Sequence, residues 1–456
     1  MNRYSRWLWA AAIVLAAGGL RLPDLGERPM HADEAILADK FATFLERGSY
    51  AYDPTEYHGP VLAYVSTVSA WVRARTTYAT LNEATVRVVP AIAGVLLALS
   101  PLLLAGAVGE TSAGLAGMIV AVSSACVFYS RYYIPEMLLA VFTAAMLISL
   151  WRVSLTGSIL SWACVGASTA LMVGTKETAA IAFAAALPFG WLVRRDVRWT
   201  FFAAFAAVLV ILMDPLALLG SFAEYWRRGT GTSLHVHPPT YYLQLMFSEP
   251  VLILALPGLF FPARTSFLRF LKWFCVLLAV IYSAIPYKTP WCVVSLIFGL
   301  ALLVRGPEGR RWVYVTYGAV LAACAVLAWD RAHSLVHPWA YAHTTTDVFR
   351  IRDAVLRYGT KTPIGIYTRE NWWPLPWYLR GNPNVRWSRE VVPQGAAAAV
   401  VLASPDMEPA LQKKFYEGPP PGQRELYMNL FREPVYLRPQ VEVRGYVRKS
   451  LWDKLE

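Results

Sequence analysis

The sequence predicts a mainly α fold: a polytopic α-helical membrane protein with about eleven transmembrane helices, an amphipathic first external loop and a small C-terminal external α/β domain. Three observations predict it. The 456 residues are 56% apolar and only 16% charged, with a mean hydropathy of +0.40. That balance excludes a disordered tail, a coiled coil and an ordinary soluble enzyme. Apolar runs approaching the ~20 residues that a bilayer core demands recur as far as Trp329. Beyond Trp329 the composition turns polar and stays so. The formal charge of +12 would suggest nucleic acid in a soluble chain. Here the basic residues lie between apolar runs, so no nucleic-acid partner is expected and the charges report topology.

The first apolar run, residues 7–20, follows Arg3 and Arg6 and reads as a retained anchor, since no clean small-residue cleavage site precedes a polar start. A long outer loop follows. Within it Asp33 to Gly48 places apolar residues at 37, 41, 44 and 45 among charges and ends on glycine, the pattern of an amphipathic helix lying at the surface. Pro60–Val72, opened by His58-Gly59-Pro60 and closed by Arg73 and Arg75, is thirteen residues long and short for a span. Ten further runs follow, at 86–105, 114–129, 135–151, 159–173, 179–193, 200–213, 251–261, 273–285, 291–304 and 312–329.

Charge bias decides the short run. If it does not span, twelve basic residues (Arg3, Arg6, Arg152, Arg194, Arg195, Arg198, Arg264, Arg269, Lys272, Arg305, Arg310 and Arg311) lie inside. Five, Arg131, Lys176, Arg227, Arg228 and Lys288, lie in the outer connections after the first loop. The positive-inside rule therefore makes 60–72 an interfacial or re-entrant helix, with the N-terminus cytoplasmic and the C-terminus external. This defines a transmembrane domain, 1–343, and an external domain, 344–456, in which 347–358 and 408–415 read as helices and 364–368 and 398–402 as buried strands. Cys126, Cys164, Cys275, Cys292 and Cys324 sit in or beside apolar runs with no CxxC pair, and read as small buried residues.

Four polar constellations share the outer face: His31-Ala32-Asp33-Glu34 with Glu56-Tyr57-His58; Ser130-Arg131-Tyr132-Tyr133-Ile134-Pro135-Glu136; Gly174-Thr175-Lys176-Glu177-Thr178; and Pro286-Tyr287-Lys288-Thr289-Pro290-Trp291. Arg131, Lys176 and Lys288 stand where the topology disfavours cations, so each is a candidate for function. Carboxylates beside cations suit a reaction in which a hydroxyl is deprotonated and an anionic phosphate leaves. Each feature also has a structural reading. Asp33 and Glu34 fit a helix N-terminus, as does Glu136 after Pro135; the three cations fit snorkelling anchors. His31, Glu56 and His58 form a candidate divalent-metal set or a solvated loop, so no cofactor is certain. His235-Val236-His237, before two prolines, fits extended loop structure. The cluster from Asn371 to Tyr378, rich in Trp, fits either sugar stacking or an interface belt.

At these residues the sequence resembles the polytopic glycosyltransferases of the C superfamily, in the branch of the dolichyl-phosphate-mannose-protein mannosyltransferases. The Thr-Lys-Glu, Tyr-Lys-Thr-Pro-Trp and Trp-Trp-Pro-Leu-Pro-Trp-Tyr-Leu-Arg strings are similar to the prokaryotic group known as flippase-activity-associated proteins, over about residues 1–380. The resemblance implies transfer of a hexosyl or pentosyl unit from a polyprenyl-phosphate donor to an unidentified acceptor at the external face of the plasma (inner) membrane. It implies Asp33 as base with Glu34 beside it and Glu136 as the second-loop carboxylate. His58, Arg131, Lys176 and Lys288 become candidates for holding the lipid phosphate, with Tyr287 and Trp291 as neighbours in the substrate site. Two departures stand out: Glu136 replaces the branch's usual Asp, and His58-Gly59-Pro60 replaces a Lys-Pro-Pro-like step, exchanging a fixed cation for a titratable one. Inversion is expected, since no second acid is identified as a nucleophile. The competing readings are a transporter or flippase, or a non-catalytic partner for lipid-linked sugars; no G-x-x-x-x-G-K-[ST] loop is present.

Overall fold

The computed structural model describes residues 3–53, 58–193, 197–212, 214–231, 235–306, 311–359, 362–392 and 397–454. It is mainly helical, with one small sheet near the C-terminus. Two compact units divide the chain. The first comprises Met1–Leu25, Thr43–Thr76 and Asn82–Tyr341; the second comprises Gly26–Ala42, Thr77–Leu81 and Ala342–Glu456.

In the first unit, four helices among the described residues are long and apolar enough to cross a bilayer: Glu83–Val108, Glu136–Thr156, Ser266–Ala284 and Trp312–His333. Two bent pairs raise the number to six. Several sequence-predicted spans are thus shorter or broken. The run at 114–129 divides into Glu110–Val122 and Ser124–Ser130, bent by 58°. The run at 251–261 becomes the second arm of Tyr241–Phe247 plus Pro250–Phe260, bent by 86°.

A buried carboxylate connects the two breaks. Ser123 adopts an extended conformation and its hydroxyl caps the Cys126 amide. Glu249, in the break of the second pair, accepts from the Ser124 and Ala125 amides at 2.9 Å each and from the Ser124 hydroxyl at 3.0 Å. Arg331 donates to the same Ser124 oxygen at 2.9 Å. Helix-initial amides have no intrahelical partner, and a carboxylate there satisfies them while meeting the positive end of the helix dipole. Charge and capping therefore account for the bend at Ser123, where a search for uniform apolar runs sees only continuity.

Pro60–Val72 is a helix over Val61–Val72. The amphipathic helix is also present, at Ala32–Arg47, but Ala32, Glu34, Ala35, Ala38, Phe41 and Ala42 are buried in protein. The cysteines are free; Cys126, Cys275 and Cys324 are buried, whereas Cys164 is exposed, contrary to its sequence reading.

The second unit carries a six-stranded sheet: β1 (Ile364–Tyr367), β2 (Val385–Ser388), β3 (Val400–Ala403), β4 (Tyr427–Asn429), β5 (Val435–Arg438) and β6 (Val441–Arg448), in the order β2-β1-β3-β6-β4 with β5 also on β6. β1 runs parallel to β2 and β3, and Ile364 stands opposite Val385 and Val400. β6 is antiparallel to its neighbours. The apolar strings Ile-Gly-Ile and Val-Val-Leu-Ala are buried throughout, as central parallel strands require. Val401, Ala403, Met407, Leu411, Phe415 and Tyr446 form a core on one side of it. The aromatic cluster joins the interior of this unit: Trp372, Trp377 and Tyr378 are buried, and Arg380 lies 3.9 Å over the Trp377 ring. Neither a sugar platform nor a membrane belt describes those three side chains.

Candidate functional site

Backbone fit brings two of the four motifs together in the first unit. A Cβ on Gly59 would stand 2.1 Å from the carbonyl oxygen of Gly174, and the Val61 amide donates to that oxygen at 3.2 Å. Only glycine at 59 permits this approach. It docks the turn before Val61–Val72 against the turn Gly174-Thr175-Lys176-Glu177, whose first helical neighbour ends at Val173. The His58 Nδ1 then lies 2.7 Å from a Glu177 carboxylate oxygen.

Lys176, on the same turn, forms an ion pair with Glu136, the first residue of the helix Glu136–Thr156. Lys176 is 6% exposed and Glu136 4%. Burial alone would lower the Lys176 pKa, but the adjacent Glu136 carboxylate overrides it and holds the ammonium well above its ordinary value. Burial likewise opposes ionisation of Glu177, yet His58 outweighs it and holds the carboxyl below its ordinary range. Among the described residues, the second oxygen of Glu136 is buried without a hydrogen-bond partner. The result is two adjacent acid–base pairs, one sealed and one reaching solvent through His58, whose side chain is 28% exposed.

The fourth motif approaches this cluster. The thiol of Cys292, next to Trp291, is within electrostatic reach of Lys176 and Glu136. Lys288 is buried and donates to the carbonyls of His237, at 3.1 Å, and Ile285. Its pKa is lowered by burial. The His235-Val236-His237 segment, read from sequence only as extended loop, turns at His235, whose φ is +57°, and pairs Val236 with Tyr287 in an isolated bridge. Both of its imidazoles reach the Tyr341 hydroxyl, at 2.6 and 3.3 Å. Tyr287 is half-buried, and the buried Trp291 ring lies 6.2 Å from both Tyr129 and Tyr341. Arg131 is turned to the main chain, donating to the carbonyls of Arg21, Pro23 and Asp24.

In the second unit the two first-loop acids separate in role. Glu34 is fully buried and accepts from the His31 amide at 2.9 Å, so it caps its helix from the first turn. His31 accepts from the Asp33 amide at 3.1 Å. The Asp33 side chain is 50% exposed, its carboxylate 3.8 Å from His31 Nδ1. The structural reading therefore takes Glu34 and leaves Asp33 presented to solvent.

Two members of the candidate metal set, His31 and His58, lie among the described residues. Glu56 lies outside the described residues, His31 belongs to the second unit, and His58 is engaged by Glu177. Among the described residues no three His, Cys, Asp or Glu side chains converge on a metal position. Glu136, the membrane-side carboxylate available for such a role, is occupied by an ammonium. Among the described residues, these side chains do not fit a metal.

No protein-family model and no curated protein match the sequence. Solved structures do. ArnT from Cupriavidus metallidurans bound to undecaprenyl phosphate aligns with TM-score 0.67 at 15% identity, covering 96% of this chain and 98% of that one. Archaeal oligosaccharyltransferase AglB from Archaeoglobus fulgidus, in complex with an inhibitory peptide and a dolichol-phosphate, aligns with TM-score 0.61 at 12% identity, covering 92% and 72%. The mycobacterial arabinofuranosyltransferase AftD aligns with TM-score 0.51 at 15% identity, covering 98% and 40%. The chain shares the fold of these solved structures. Nothing in these likenesses singles out the mannosyltransferase branch.

Proposed function

We propose that the protein is an integral membrane glycosyltransferase that moves a hexose or pentose from a polyprenyl-phosphate donor to an acceptor at the external face. The observation that carries this reading is the fold shared along 96% of the chain with a protein solved bound to undecaprenyl phosphate, joined to a cluster of ionised groups on predicted outer turns. Asp33 is the base: it takes the acceptor hydroxyl proton as the acceptor oxygen bonds to the anomeric carbon and the carbon–phosphate-oxygen bond breaks. Its half-exposed carboxylate supports that role over Glu34, which is spent on its own helix. Glu136 and Lys176 form the sealed part of the site. Lys288 and His58 meet the phosphate, and Arg131 contributes indirectly through the main chain that it holds. A single displacement gives inversion. We retain eleven spans, a cytoplasmic N-terminus, and the division at 343/344 as the topology of this reading.

The test is donor consumption by purified protein given a defined polyprenyl-phosphate sugar and a cell-envelope extract as acceptor. Wild type should release polyprenyl phosphate and Asp33→Asn should not. Unchanged consumption in Asp33→Asn removes Asp33 as base, and retained anomeric configuration in the product removes single displacement.

A further inference from the structure

We propose that Glu177 is a positioning residue for His58, the two forming a dyad that aims the imidazole Nε2 at the oxygen of the departing lipid phosphate. The inference rests on the glycosyltransferase reading and adds to it a role for Glu177, to which the sequence assigned none. Its basis is geometric. His58 Nδ1 lies 2.7 Å from Glu177, whose side chain is 3% exposed while that of His58 is 28% exposed. One ring nitrogen is thus anchored on a buried anion. The hydrogen bond to Glu177 uses Nδ1 and leaves Nε2 at the far side of the ring. A second ring nitrogen held by a carboxylate fixes ring orientation.

The anchoring is built into the backbone. The Gly59–Gly174 approach and the Val61 amide bond to Gly174 lock the two turns, so the relative placement of His58 and Glu177 is set by main chain. Nearby charge does not replace this arrangement: Lys176, adjacent in sequence, is held by Glu136.

The chemistry needs such a group. When the anomeric C–O bond breaks, its electron pair passes to the phosphate oxygen, and the lipid phosphate departs with one more negative charge than it carried in the ester. The acceptor proton goes to Asp33. His58 donates a hydrogen bond to the charged oxygen and keeps its proton, so no other co-reactant is required. A donor aimed at developing charge in a site of restricted solvent access lowers the barrier without changing ground-state binding to the same degree. A lysine at this position has no ring to orient; histidine needs Glu177 to aim its Nε2.

The experiment is a double-mutant cycle on purified full-length protein, reading kcat and donor KM for Glu177→Gln, His58→Lys and the two combined. Glu177→Gln should lower kcat by about ten- to hundredfold with a smaller change in KM. His58→Lys sets its own reference activity, and Glu177→Gln should cost under about threefold relative to it in that background. Equal cost in both backgrounds marks Glu177 as merely structural and overturns the proposal. Should Glu177→Gln fail to fold, His58→Lys is compared with His58→Gln, which keeps a neutral donor. The proposal expects at least about tenfold higher kcat for the lysine variant, and equality overturns it. A wild type that consumes no donor defeats the glycosyltransferase reading itself, whereas an active wild type with an additive cycle defeats only the dyad.

Discussion

Lys176 and Glu136 meet in a pocket that leaves each less than a tenth exposed, and one Glu136 oxygen already lacks a partner among the described residues. Replacing Lys176 with Met keeps most of the side-chain volume but abandons a buried carboxylate. Breaking a buried pair from one side costs about 3–5 kcal/mol, because the orphaned charge retains its desolvation penalty. Glu136→Leu abandons the ammonium instead and should cost a similar amount, reduced to the extent that the lysine deprotonates. The double variant Lys176→Met/Glu136→Leu removes both penalties and should lie within about 1 kcal/mol of wild type. The coupling energy should therefore be at least about 3 kcal/mol, well beyond the ~0.5 kcal/mol scatter of independent sites. Unfolding in mixed detergent micelles, followed by tryptophan fluorescence, measures all four corners. Single variants that each lose under about 1 kcal/mol and add in the double would show that water reaches the pair, and the electrostatic description of this cluster would fail.

Three further predictions follow from contacts already described. Glu249→Gln places an amide nitrogen against donors and should cost about 2–4 kcal/mol, with faster hydrogen exchange at the Ser124 and Ala125 amides; unchanged exchange would mean that the carboxylate does not hold the bend. Gly59→Ala drives a Cβ into the Gly174 carbonyl and should destabilise by at least about 1–3 kcal/mol, whereas Gly318→Ala, with open space around it on a helix, should be neutral or slightly stabilising; similar effects at both positions would refute the close approach. Glu177 binds its proton less readily folded than unfolded, since His58 overrides its burial. Its stabilisation is therefore complete above the ordinary glutamate range near pH 4–5 and is lost as pH falls through the lowered folded value. Unfolding midpoints from pH 6 to 3 should fall more steeply for wild type than for Glu177→Gln, and parallel slopes would count against the ion pair.

What the sequence made legible follows the range of each interaction. Helices at 32–47 and 61–72, and the polar C-terminal unit with its buried strands, show in local periodicity and composition. Lys176 and Glu136 are forty residues apart, and topology alone suggested that their motifs share a face. Their direct pairing required the fold. The breaks at Ser123 and Glu249 stayed hidden because no proline marks the first, and because the carboxylate that stabilises it lies 125 residues away. Glu177 stood inside a quoted motif, but its role depends on His58, 119 residues earlier. Two adjacent acids, Asp33 and Glu34, look equivalent as letters. Helix geometry buries one as a cap and leaves the other exposed, which is the distinction on which the proposed base rests.

The most direct test uses proteoliposomes loaded with a polyprenyl-phosphate sugar labelled in both the sugar and the lipid phosphate, with products resolved by mass spectrometry. Wild type should separate the two labels, yielding free polyprenyl phosphate and a glycosylated acceptor in equal amounts, and Asp33→Asn should leave them joined. Movement of the intact doubly labelled lipid between leaflets, with no separation by wild type, would contradict the account and make the protein a carrier.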